Sequence, residues 1–331
     1  MCDMNPTSLS PRRTFSRIGW AMFVILAINV LLQELLFYLP GILSDRESWL
    51  SDSSWEMWIG TFAPLYLIAI PCGLLIMKKL PATAPDDHPI GTKNFFIFIP
   101  ICFFLLYAGN ILGTLLSMIF SGGTAQNMLE EYLSDNHPLK FVVIVILAPV
   151  LEEYVCRKQI IDRVAPYGEK QAVFLSALVF GLLHGNLFQF FYAFALGWVF
   201  AYIYIRTGRV RYTMILHSIV NFAGSIIAPW ILSVVDMDAL AALDFTLPME
   251  ELLPILQNIL PGLLLLFVYL LILLGLSVTG MIFLILRSNR LIWKESAAQL
   301  PATDSTKTVY WNAGMIMYTL LCIAMTIWAL F

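Results

Sequence analysis

The stretch Leu147-Ala-Pro-Val-Leu-Glu-Glu-Tyr-Val-Cys-Arg157 decides how the rest of the chain is read. Two adjacent glutamates, Glu152 and Glu153, interrupt an apolar run, and Arg157 follows four residues after the second. Ionisable side chains at membrane depth are costly, so they mark functional sites or paired internal networks. On a helix Glu153 and Arg157 are i,i+4 neighbours and can pair. Glu152 points about 100° away and has no partner on its own helix. A group elsewhere in the chain is expected to answer it. Pro149 is expected to remove one backbone bond, bend the helix and free a carbonyl near the glutamates.

The surroundings of that stretch are a membrane protein's. The 331 residues are 60% hydrophobic and 12% charged, against about 25% charged in soluble domains. Mean hydropathy is +0.81. Apolar runs fall near 18–39, 56–77, 94–120, 139–163, 171–187, 188–206, 211–233, 256–286 and 310–331, long enough to span a bilayer as helices. The expected fold is all-α, a polytopic transmembrane bundle of about eight or nine helices. It divides into three N-terminal helices (1–138), a core (139–233) and two C-terminal helices (234–331). Short interfacial helices are expected at Met128–Leu133 and Pro248–Leu253. The first run is too long for a signal-peptide core and lacks a small-residue cleavage site. Cys2, Cys72, Cys102, Cys156 and Cys322 have no motif spacing and read as free thiols. The net charge of −3 carries no nucleic-acid signal, and no nucleic acid is expected as a partner.

Lys and Arg at the segment ends give an orientation. Seventeen of the 19 fall on the side of the N-terminus, and only Arg46 and Lys140 fall opposite. The positive-inside rule then places the N-terminus in the cytoplasm and the C-terminus outside, in what is expected to be the plasma membrane. Trp20, Trp49, Trp55, Trp58, Trp198 and Trp230 read as interface anchors.

Depth counted along the segments brings polar residues together. Glu152 lies roughly 20 Å and His184 roughly 21 Å from the basic side, at 1.5 Å per residue. His217 and Asn221 lie roughly 9 and 15 Å in. Of four histidines, His88 and His137 fall in connections, whereas His184 and His217 fall in apolar segments. Three helices therefore each present an i,i+4 pair: Glu153/Arg157, Phe180/His184 and His217/Asn221.

A carboxylate and an imidazole can hold a water and take its proton as it attacks a carbonyl. A charged partner for Glu153 and none for Glu152 gives adjacent carboxylates different roles. His217 and Asn221 offer donors suited to an oxyanion. This set describes peptide hydrolysis with no metal, no cofactor and no covalent intermediate.

The three motifs, Glu152-Glu153-x-x-x-Arg157, Phe180-x-x-x-His184 and His217-x-x-x-Asn221, resemble those of the CAAX prenyl protease and bacteriocin-processing (Abi) family of intramembrane glutamate endopeptidases. The resemblance covers about residues 139–233. It implies that Glu152 and His184 activate water, that His217 and Asn221 form the oxyanion site, and that Glu153 and Arg157 support them. It implies a peptide or protein substrate, reached from the bilayer or its cytoplasmic side. It also covers members that act without proteolysis, so a scaffold or immunity protein stays open beside the enzyme, as does a transporter. A metalloprotease with Glu152, His184 and His217 as ligands, and a peptidase using Cys156, stay open on the residues alone. Phe188, Phe190, Phe191 and Tyr192 read first as lipid contacts, with substrate gripping as the alternative.

Overall fold

Long apolar segments have few outcomes in lipid, because every backbone N–H and C=O must be satisfied within the protein. The structure, a computed structural model, is helical throughout, with no strand among the residues it describes: 10–43, 53–127, 129–130, 135, 137–241, 243–244, 246 and 248–331. Helix α1 is Pro11–Leu43, and α2 runs as Ser53–Ala63, Pro64–Ala69 and Ile70–Met77. Helix α3 is Thr92–Ser121, and α4 runs as Phe141–Leu147, Ala148–Glu153, Tyr154–Gln159 and Ile160–Val164. Then come α5 (Glu169–Leu183), α6 (Leu187–Thr207) and α7 (Val210–Phe222, Ala223–Ile227 and Ala228–Val234). The chain ends in α8 (Met249–Ser288), α9 (Ala302–Tyr310) and α10 (Ala313–Trp328).

The nine expected segments are helical in order, as α1–α8 and α10. By length and apolar composition, six helices can cross a membrane, and α9 with α10 makes a seventh if their 61° bend lies within one span. This is an integral membrane protein, and eight or nine spans is met only roughly. The two motif helices α4 and α5 account for the difference. Helix α4 carries six charged residues between Glu152 and Arg163. Helix α5 has 15 residues, or about 22 Å, against a hydrocarbon core of about 30 Å.

Other boundaries move for local reasons. The expected junction at 187/188 is a turn, His184-Gly185-Asn186. Gly185 takes φ +62°, and the Asn186 side chain caps α6 by accepting from the Gln189 N–H. The expected interfacial helix at Pro248–Leu253 is the first turns of α8. The one at Met128–Leu133 falls largely outside the described residues, as do Cys2, Arg46 and Trp49. Trp58 is no interface anchor: it is 1% exposed, and its Nε1 donates to Asp135 at 2.6 Å.

Small residues let helices close on one another, as membrane packing requires. A Cβ on Gly280 of α8 would lie 1.9 Å from the Pro100 carbonyl oxygen of α3. One on Gly109 would lie 2.5 Å from Cα of Tyr192, which fixes α6 against α3. Near the ends of α4 and α6, Tyr204 donates to Asp162 at 2.6 Å, and Arg163 donates to the Met77 carbonyl at 3.0 Å. These ties set α4 against α2 and α6, and α6 against α3.

Candidate active site

Helix α4 is not regular around its motif. Wide turns, in which each N–H reaches back five residues, occupy Phe141–Leu147 and Tyr154–Gln159 on either side of the glutamates. Ala148 N–H bonds the Val143 carbonyl in this pattern. The next carbonyl, that of Ile144, would be answered by residue 149, but Pro149 has no N–H. Asn221 answers it instead, donating from Nδ2 at 2.9 Å. The proline thus frees a carbonyl, and the third motif occupies it.

Glu153 and Arg157 form the expected pair, and both are fully buried. The geometry is bidentate, with Arg157 Nε to Glu153 Oε2 at 2.9 Å and Nη2 to Oε1 at 3.0 Å. Two parallel charge-assisted bonds of this kind fix orientation as well as energy. The remaining guanidinium nitrogen, Nη1, donates to Ser176 Oγ at 3.1 Å, and Ser176 donates to the Cys156 carbonyl at 2.7 Å. The Phe180 ring lies over the guanidinium, 4.5 Å from Cζ to its centroid. Arg157 is therefore held by a carboxylate, a hydroxyl and an aromatic face, drawn from α4 and α5.

His217 of α7 meets both glutamates. Its Nδ1 lies 3.2 Å from Glu153 Oε1, and its Nε2 lies 4.0 Å from Glu152 Oε2. A carboxylate held by arginine accepts, so Nδ1 carries a proton. Nε2 then donates only when the ring also carries its second proton. The contact is closer than depth counting gave, because helices that tilt do not start from one plane.

His184 stands just past the end of α5. Its Nδ1 lies 2.9 Å from the Phe180 carbonyl, which can only accept, so Nδ1 is protonated and Nε2 of the neutral ring is the free acceptor. The Phe180 ring stands nearly perpendicular to both imidazoles, with centroids 5.2 Å from His184 and 5.6 Å from His217. Glu152 makes no hydrogen bond among the described residues, and its side chain keeps 16% exposure beside fully buried Glu153.

The six motif residues thus gather at one place, on three helices. Arg157 pairs with Glu153, His217 reaches both glutamates, His184 joins through Phe180, and Asn221 stands one turn along α7 from His217. Cys156 is fully buried beneath the site. Among the described residues, no group of three or more His, Cys, Asp or Glu is arranged to hold a metal ion.

Residues 134–223 match the family described as type II CAAX prenyl endopeptidase Rce1-like. The motif-bearing core is similar to that family. A Bacillus subtilis (strain 168) protein, YdiL, a membrane peptidase by name, is 29% identical over 155 residues. That match covers 45% of this chain and 63% of the relative, so the chain spans less than two thirds of it. No solved structure matches.

The core also holds residues that the motif reading passed over. Ser176 is one; it stands four residues before Phe180 and eight before His184, on the same stripe of α5. Thr213, His217, Asn221 and Ser225 make a similar stripe on α7, where Ser225 donates to the Asn221 carbonyl at 2.6 Å. Spacing by four was the available signal for both. Tyr192, read first as a lipid contact, lies inward on α6 with its ring 6.5 Å from that of His184.

Proposed function

We propose that the protein is an intramembrane endopeptidase that hydrolyses a peptide bond of a membrane-associated or lipidated protein or peptide. One observation carries the reading. Of two adjacent carboxylates in a membrane helix, one is locked to arginine, and the other has no hydrogen bond among the described residues and stands 4.0 Å from the His217 imidazole.

The chemistry follows from that division. A water held between Glu152 and His184 Nε2 loses a proton to Glu152 as its oxygen attacks the scissile carbonyl. The C–O bond forms, and the carbonyl electrons move onto oxygen. His217 Nε2, when its ring carries both protons, and the N–H of Asn221 not used on Ile144 are the donors assigned to that oxyanion. Collapse breaks the C–N bond, and the proton passes from Glu152 to the leaving amine. Glu153 and Arg157 position His217 and touch no reacting atom. In this reading 139–233 is the catalytic core, and substrate enters from the bilayer or its cytoplasmic side, with the protein in the plasma membrane.

The test begins with a substrate found by comparing membrane proteomes with and without the active protein. Purified protein should cleave that substrate in nanodiscs, with turnover unchanged by strong chelators and by Cys156→Ser. Loss on chelation, restored by zinc, would instead make Glu152, His184 and His217 metal ligands. No difference between the proteomes would favour a scaffold.

The orientation is proposed with it: N-terminus cytoplasmic, from the 17-to-2 charge division. Reporters fused after Lys170 and Arg209 should read cytoplasmic, and one at Asp244 exterior. An exterior signal after Lys170 contradicts it.

A further inference from the structure

We propose that the Tyr192 hydroxyl is a further catalytic donor, giving its proton to the oxygen that develops charge between Glu152 and His184. The proposal rests on the endopeptidase reading above.

The direction of a hydrogen-bond chain carries it. Amide side chains usually leave the direction open, because their O and N ends look alike. Here a backbone group settles it. The Gln189 N–H can only donate, and it bonds the Asn186 side chain at 2.9 Å, so the acceptor is Oδ1. The other end of that amide, Nδ2, then donates to the His184 carbonyl at 2.8 Å and to Gln189 Oε1 at 3.0 Å. Gln189 must therefore present Nε2 onward, and it donates to the Tyr192 oxygen at 2.9 Å. The phenol oxygen is an acceptor here, and its single proton has no acceptor among the described residues.

An unspent phenol proton inside a packed helix bundle is unusual, since inward tyrosine hydroxyls find partners. This one stands beside the site. The ring meets that of His184 near edge-on, and Glu152 is within electrostatic reach of the phenol. Its position is fixed as well, since the Tyr192 backbone is seated against Gly109. The chain begins at the residue just after Gly185, so the turn that ends α5 behind His184 also aims the phenol. A donor oriented before substrate arrives costs no rearrangement when charge develops.

Tyr192→Phe removes one oxygen and keeps the ring. It should lower kcat by roughly 10²-fold, the scale for one such donor, with KM and the melting temperature near wild type. Gln189→Glu supplies a second test. A carboxylate there still accepts from Asn186 but also accepts from Tyr192, capturing the proton, so kcat should fall as in Tyr192→Phe although the hydroxyl remains. A wild-type kcat in Tyr192→Phe, or a change in KM alone, would overturn the role. Glu152→Gln run in the same assay separates the two claims. If it is inactive while Tyr192→Phe is fully active, only the tyrosine's role fails; if Glu152→Gln is itself active, the endopeptidase reading fails.

Discussion

Helices α4 and α8 meet the same demand in opposite ways. From Leu252 to Leu286, α8 has no Asp, Glu, Lys or Arg, and only 11% of its most apolar window is buried within the protein. Helix α4 has six charged residues in twelve positions, and Val155, Cys156, Arg157, Ile160, Ile161 and Val164 around them are at most 2% exposed. Helix α8 needs no protein partner for most of its length, because lipid satisfies an apolar side chain. Helix α4 must bring its own solvent in the form of Ser176, Phe180, His217 and Asn221. The lesson concerns where a substitution is felt. On α4 it breaks a network, whereas on α8 it matters only where the helix touches a neighbour.

The largest effect on stability should come from Glu153→Gln. It leaves Arg157 without its charge partner at full burial, and breaking such a pair costs about 3–5 kcal/mol. Thermal unfolding in bicelles measures it, and a wild-type melting temperature would break the contrast between the helices. On α8 two positions sharpen it. Gly280→Ala puts a methyl group against the Pro100 carbonyl, where backbone must move, and should cost about 1–3 kcal/mol. Leu270→Ala, at a side chain 53% exposed, should fall within about 0.5 kcal/mol. Equal losses at Gly280 and Leu270 would mean that α8 is held along its whole length.

Much of this contrast was readable before any coordinates. Charge inside an apolar run marked α4, and spacing by four marked the faces of α4, α5 and α7. Pro149 pointed to the freed carbonyl, although not to Asn221 as the group that takes it. What sequence could not supply is what depends on tilt and on hydrogen-bond direction. Counting rise along each helix set His217 about 11 Å shallower than Glu152, yet the two lie 4.0 Å apart. The wide turns flanking the glutamates leave no residue signature beyond the proline. Tyr192 is one aromatic among many on α6, and only the Asn186–Gln189 chain distinguishes it. The bend between α9 and α10 came with a capping Asn312, whose side chain accepts from the Met315 N–H, a signal that a hydropathy reading passes over.

The central claim is that Glu152, and not its neighbour, accepts the proton of the attacking water. Glu152→Gln keeps the shape of the side chain and removes that capacity, and the residue has no hydrogen bond to lose among the described residues. Turnover of the identified substrate, measured beside thermal stability, should fall by at least roughly 10²–10⁴-fold while the melting temperature stays at the wild-type value. Undiminished turnover in a well-folded Glu152→Gln protein would contradict the account.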